Sequence, residues 1–265
     1  MAVRDALGRA LELPGPPRRI VSLVPSLTEA LFALGAGDRV VGLTYFCLEP
    51  QPQVRSLPKV GGTKTVDVAR VLALAPDLVI ASAEENRPEH VEAIAEAGIP
   101  VYVTLPTTVL GALHLLEELS TLLGTDERAR PLLESSRRVL AETLSLAQGR
   151  PRPRVFCPIW RDPWMTIGPG TYMHDLIATC GGDNIFADVH ERYPAVELEE
   201  AARRRPDVVL LPSEPYRFRR RHLAELEAAG LAGVRVHFVD GRLLCWYGPR
   251  IPDALVQVRR LLLGV

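Results

Sequence analysis

Residues 74–84 read L-A-P-D-L-V-I-A-S-A-E, and 130 positions later residues 204–214 read R-R-P-D-V-V-L-L-P-S-E. Each copy follows a helical pattern, breaks at Pro-Asp, runs through four apolar residues and ends on a polar tip with Glu84 or Glu214. Each is then followed by a helical pattern ending in Ala-Gly, at Ala97-Gly98 and Ala229-Gly230, and by another apolar run. The offset is about half the chain. Two copies of one α/β unit account for this most simply. Short apolar strands without polar alternation, separated by helices, imply mostly parallel sheets covered on both faces.

Between the copies lies a stretch, 125–148, with no Gly and with Pro131 as its one proline. Leu132, Val139 and Leu146 recur every seven residues, and Ser136, Leu140 and Leu144 every four, which predicts a one-sided apolar helix. Its length is roughly 36 Å at 1.5 Å per residue. Thr125 and Asp126 after Gly124 suit its start, with Pro131 arguing for a later one, and Gly149-Arg150-Pro151 suits its end. The expected fold class is therefore α/β: two Rossmann-like lobes with mostly parallel sheets, joined by one long backbone helix. The expected domains are an N-terminal lobe over 1–124, the linking helix over 125–149 and a C-terminal lobe over 150–265. Residues 1–18 read as an irregular lead-in. Residues 19–24 read as a buried strand, with Ser26 and Thr28 as caps of the next helix, and residues 155–160 as a single strand.

Bulk properties narrow the class. The net charge is −1, from 31 basic and 32 acidic residues, so neither nucleic acid nor an anionic membrane is favoured as a partner by the whole-chain charge. Cys47, Cys157, Cys180 and Cys245 form no C-x-x-C pair and read as free buried thiols. No apolar run reaches membrane-span length, and residues 1–19 hold no apolar segment of a signal peptide. The expectation is a cytoplasmic monomer, or an extracytoplasmic protein whose export signal has been replaced.

Parallel α/β sheets bind ligands at the carboxyl ends of their strands, and a cleft between two lobes favours a small molecule. The predicted strand ends carry Tyr45-Phe46-Cys47, Gly61-Gly62-Thr63-Lys64 and Glu84-Glu85-Asn86 in the first half. The second half carries Trp160-Arg161-Asp162-Pro163-Trp164, Tyr193, Glu214-Pro215-Tyr216 and Trp246-Tyr247-Gly248-Pro249-Arg250. All three tryptophans fall there, in a chain only 6% aromatic. Aromatic faces with a few polar anchors suit a large, flat, partly apolar ligand, whereas core filling is the other use of such rings. Phe46, Trp160, Trp164, Tyr193, Trp246 and Tyr247 are the apolar candidates. Thr63, Lys64, Glu85, Arg161, Tyr216 and Arg250 are the polar ones.

Gly61 to Lys64 lacks the spacing of a phosphate loop. Cys47 suits a soft-metal thiolate or a buried thiol. His174 and His190 flank the Cys180-Gly181-Gly182 turn, but the six histidines show no metal-ligand spacing. Residues 217–221, R-F-R-R-R, form a basic run suited to a phosphate-bearing ligand or to solvent. No nucleophile–base pair is evident, so no catalytic residue, metal site or covalent cofactor is assigned.

R-I-V-S-L-V-P-S-L-T-E-A-L-F-A-L-G from Arg19, V-V-G-L-T from Val40, L-A-P-D-L-V-I-A from Leu74 and C-G-G-D-N-I-F-A-D from Cys180 resemble one family. It is the class III substrate-binding proteins, or helical-backbone metal receptors, of ABC importers for vitamin B12, ferric siderophores and haem. The resemblance runs from Arg19 onward and is closest to the B12-binding, BtuF-like branch. It implies two lobes bridged by one helix, a ligand in the cleft between them, and no enzymatic activity. A corrinoid such as cobalamin, or another metal chelate, is the implied ligand. The B12 branch has aromatic residues at the positions of Phe46, Tyr193 and the Trp246-Tyr247 pair, and a Trp where this chain has Thr63. Importer-docking members carry one surface Glu per lobe for the permease. Glu199 matches the second, and Ala69 stands at the first. A cytoplasmic metal- or corrinoid-handling protein or enzyme, not docking to a permease, is the alternative on the same scaffold, with Cys47, Glu84, Glu85 and His174 as its ligands or acid–base groups.

Overall fold

The chain opens on two short extended runs separated by charged and small residues. In the structure, a computed structural model that describes residues 2–265, these runs form an antiparallel hairpin of β1 (Ala2–Arg4) and β2 (Ala10–Glu12). The Asp5 carboxylate accepts the Leu7 and Arg9 N–H groups and closes the turn. The Ala6 N–H donates to the Val103 carbonyl at 2.9 Å, tying the hairpin to the neighbouring sheet edge. The expected irregular lead-in is thus corrected: Asp5 supplies turn chemistry that an apolar-period reading does not register.

Two compact units are present. The first comprises residues up to Leu105 with Ala112–Glu134, and the second comprises Pro106–Gly111 with Ser135–Val265. The first holds β3 (Ile20–Ser22), β4 (Val40–Leu43), β5 (Leu78–Ser82) and β6 (Val101–Thr104), all parallel in the order β4-β3-β5-β6. Its helices are α1 (Pro25–Ala33), α2 (Val68–Ala73) and α3 (Pro88–Glu96). Val21, Leu23, Val79, Ala81 and Val103 pack with Val71, Val91 and Ile94 of α2 and α3 to form the core on one face.

Val24, not Ser26 or Thr28, is the N-cap of α1. Pro25 takes the first helical position, where its missing N–H costs nothing. Thr28 instead donates inward, to the Val24 carbonyl at 3.0 Å and the Ser22 hydroxyl at 2.8 Å.

α4 (Val109–Leu123) precedes the long α5 (Asp126–Ala147), which has Pro131 inside it and counts with the first unit up to Glu134 and with the second from Ser135. Its buried positions are Ala129, Leu133, Ser136 and Thr143, while Leu144 is 51% exposed. The expected stripe is shifted for a geometric reason. A step of four residues advances about 40° around a helix, whereas a step of seven returns to within about 20°. Ser136 to Thr143 therefore stays on the buried face, and Ser136 to Leu144 leaves it.

The second unit repeats the layout with β7 (Arg154–Phe156), β10 (Asp183–Asn184), β11 (Val208–Pro212) and β12 (Arg235–Val239), parallel in the order β10-β7-β11-β12. The expected strand over 155–160 is split. Pro158 withdraws a ladder donor, and Thr166 donates to the Cys157 carbonyl at 2.8 Å. β8 (Pro158–Trp160) then pairs with β9 (Met165–Thr166) as a separate antiparallel ribbon. The helices are α6 (Tyr172–Thr179), α7 (Leu198–Arg203), α8 (Leu223–Leu226), α9 (Gly241–Cys245) and α10 (Ile251–Leu263). Among the described residues, no helix is long and apolar enough to cross a membrane.

The repeated Pro-Asp proves to be a latch used twice. In the first unit the Asp77 carboxylate accepts the Arg18 and Arg19 N–H groups at 2.8 Å, and the Arg19 guanidinium caps the Leu74 and Ala75 carbonyls that end α2. In the second, Asp207 accepts the Arg154 N–H at 2.7 Å, and Arg154 caps the Arg204 and Arg205 carbonyls that end α7. Ala75 and Arg205 both have positive φ, 43° and 49°, ahead of a proline that disfavours further helix. This duplicated motif holds the amino ends of the sheets and leaves the carboxyl ends to the loops.

Candidate ligand-binding loops

At the carboxyl ends of the first sheet, three loops meet on one side chain. Asn86 is 3% exposed. Its amide oxygen accepts the Ser82 N–H at 2.9 Å, and its amide nitrogen donates to the Leu23 and Thr63 carbonyls at 3.3 and 3.0 Å. The ends of β3 and β5 and the loop after β4 are so joined. The Gly61–Lys64 segment is a tight turn, with Gly62 and Thr65 exchanging both backbone hydrogen bonds at 3.2 Å. Gly61 has φ of 100°, and a Cβ there would stand 2.3 Å from the Thr65 carbonyl oxygen, so only glycine fits. Lys64 donates from Nζ to the Glu84 carbonyl at 2.7 Å.

Phe46 lies over this turn. A Cβ on Gly62 would be 3.3 Å from its Cε2. Tyr45, Phe46 and Leu48 are 53%, 60% and 60% exposed, an outward apolar run of the kind that marks interaction sites. Cys47 between them points inward. It is fully buried, 3.1 Å from the Thr44 hydroxyl, and burial raises its thiol pKa, which disfavours the thiolate a soft metal needs. Thr63 and Glu85 are half-buried and Lys64 is exposed.

In the second unit the strand-end rings divide into two groups. Trp160 is 43% exposed and meets Tyr216 edge-on at 5.7 Å. Tyr216 packs on Phe218 at 4.8 Å, and Trp164 stacks on Phe218 at 5.5 Å. Phe218 belongs to the core, so Trp160 is the outermost ring of a ladder rooted in it. Arg161 is held by Glu225 at 2.8 Å and by Asp162.

The other group is interior. Trp246 and Tyr247 are 8% and 3% exposed, the core-filling use of such rings, and Tyr247 meets Tyr172 of α6 edge-on at 6.0 Å. Trp246 donates from Nε1 to Glu214 at 3.2 Å, and the Arg250 guanidinium lies 5.3 Å over the indole. Burial pushes the Glu214 carboxyl up from the usual range. Tyr193 is half-buried under the Arg192 guanidinium at 5.5 Å. The His174 Nδ1 is 3.2 Å from the Asn184 amide nitrogen, and His190 is exposed. Among the described residues no three His, Cys, Asp or Glu side chains group to hold a metal. Sequence reasoning places Asn86 at a strand end without giving it a role. Its signal was an amide just past an apolar strand, where the loop backbone needs both a donor and an acceptor.

A model of the family described as "Periplasmic binding protein" matches residues 20–226. This chain belongs to the periplasmic binding protein family. This family member is 28% identical to the vitamin B12-binding protein of Vibrio cholerae (serotype O1, strain ATCC 39541) over 251 residues, covering 94% of this chain and 90% of that one. It superposes on the crystal structure of the periplasmic vitamin B12-binding protein BtuF of Vibrio cholerae with a TM-score of 0.82 at 27% identity, covering 94% and 97% of the two chains. The periplasmic heme-binding protein RhuT from Roseiflexus sp. RS-1, in its apo form, gives 0.80 at 27% identity and 92% and 97% coverage. The periplasmic binding protein described here is therefore a substrate-binding protein, in a family defined by binding and not by catalysis. The expected cytoplasmic location is corrected by the same finding: family and structural relatives are extracytoplasmic.

Proposed function

We propose that this protein binds a corrinoid, such as vitamin B12, or a related flat metal chelate, and delivers it to an ABC importer. The observation that carries the reading is the outward display of Phe46, beside a turn tied to Asn86 through the Thr63 carbonyl, and of Trp160, packed edge-on against Tyr216. Relatives named for vitamin B12 and for heme support it. In the first unit Phe46 is the proposed stacking ring, with Thr63, Lys64 and Glu85 as polar contacts and the buried Cys47 behind the loop. In the second unit Trp160 is the proposed stacking ring, with Tyr193, Tyr216 and Arg250 as polar contacts and Trp164, Trp246, Tyr247 and Arg161 in support.

Glu199, exposed in the first turn of α7, is the proposed permease contact of the second unit. Ala69, one repeat earlier on α2, is also exposed and has no carboxylate to offer. The protein so read leans on one anchor. A thermal-shift series with cyanocobalamin and hemin tests the ligand: a saturating rise in Tm with either is expected, and an unchanged Tm with both at large excess refutes the reading.

A further inference from the structure

Between β11 and α8 the chain reads Tyr216-Arg217-Phe218-Arg219-Arg220-Arg221-His222. Its alternation is that of a platform. Tyr216 and Phe218 turn inward onto each other, and His222 is 1% exposed beneath them. His222 accepts the Arg219 N–H on Nδ1 at 2.8 Å, and its Nε2 is 3.3 Å from the Tyr216 hydroxyl. Phe218 donates its own N–H to the Pro212 carbonyl at 3.2 Å. With these residues pinned, Arg217, Arg219, Arg220 and Arg221 are all exposed.

Four guanidiniums within five residues repel one another unless an anion answers them. The carboxylates nearby are committed. Glu225 and Asp162 both pair with Arg161, and Glu214 accepts from Trp246. Glu227 is exposed on the turn after α8. Arg221 donates from Nε to the His222 Nε2 at 3.3 Å, and burial, with Arg221 second, holds His222 below its ordinary pKa.

We propose that this arginine platform is a docking surface for an anionic phospholipid bilayer. A cluster of four or more Lys or Arg on one surface is what anionic headgroups attract, at about 1 kcal/mol or roughly fivefold per residue. The whole chain carries −1, so attraction can come only from a local patch, and orientation follows from it. The patch sits in the loop after β11, beside Tyr216 and Trp160. Lipid contact would turn that loop end of the second unit toward the membrane. This goes beyond the ligand reading and does not depend on it.

The test is co-sedimentation of the ligand-free protein with vesicles of phosphatidylcholine alone or with about 30 mol% phosphatidylglycerol, at about 50 and 300 mM salt. At low salt the expectation is at least about tenfold preference for the anionic vesicles, largely lost at high salt. R217Q/R219Q/R220Q/R221Q should lose that preference, and the four Arg→Lys changes should keep it. R55Q/R138Q/R203Q/R235Q, which removes the same charge from exposed sites elsewhere, should also keep it. Equal partition into both vesicle types by the wild-type protein overturns the proposal. So does retained preference in the folded Arg→Gln platform variant, or equal loss in the control.

Discussion

The side-chain amide of Asn86 donates to the main-chain carbonyl of Thr63 at 3.0 Å, across 23 residues of chain. That bond makes the turn bearing Thr63 and Lys64 part of the sheet's end instead of a loose loop. Asn86→Ala leaves the Ser82 N–H and two carbonyls without their partner in a buried place. Urea unfolding should show a loss of about 3 kcal/mol. Asn86→Asp keeps the acceptor for Ser82 but not the donors, and should lose a similar amount. Wild-type stability in Asn86→Ala would mean that the three loops hold themselves.

Phe46 and Trp246 separate ligand contact from support. Phe46→Ala removes a ring that is 60% exposed, so Tm should move little while ligand affinity falls about 10- to 100-fold. Trp246→Ala empties a buried site and abandons the Glu214 carboxylate, and should cost about 3–5 kcal/mol in unfolding free energy. Equal effects of both changes on stability would erase the distinction.

Gly241 opens α9 directly against Glu214. A Cβ there would stand 2.4 Å from the Glu214 nitrogen, a main-chain atom that cannot swing aside. Gly241→Ala should destabilise by about 2 kcal/mol or more and shift Trp246 fluorescence, since the indole's acceptor is displaced. An unperturbed emission spectrum would show that the loop absorbs the methyl.

His222 sets a pH dependence. Burial, with Arg221 second, lowers its folded-state pKa. The unfolded chain then takes up a proton near the ordinary value of about 6.5 that the folded chain refuses. Stability is therefore full above that pH and declines as pH falls through it. His237 is lowered in the same direction, first by burial and then by Arg235, so His222→Gln should flatten the Tm–pH curve between about pH 7 and 5 without levelling it. A variant curve parallel to the wild type would count against the assignment.

Much of the fold was readable because the repeat is built from local chemistry. Proline ends α2 and α7, Asp77 and Asp207 start the following strands, and the apolar runs leave no alternative to buried parallel strands. What could not be read depends on neighbours distant in sequence. The hairpin at residues 2–12 is secured through Ala6 to Val103, and no local pattern announces that bond. The break at Cys157 hides inside a continuous apolar run. At the candidate site, residue type announced the aromatic strand ends but not their direction. Phe46 and Trp246 look alike in sequence, yet one faces outward and the other fills a core.

The central claim is that exposed rings on these strand-end loops hold a flat metal chelate. Titrating the purified protein into hydroxocobalamin, and separately into hemin, while following visible absorbance tests it most directly. The account predicts a saturating spectral change at one-to-one stoichiometry with at least one of the two, weakened at least about tenfold by Phe46→Ala or Trp160→Ala. Spectra that stay those of free ligand for both compounds, at large protein excess, would contradict it.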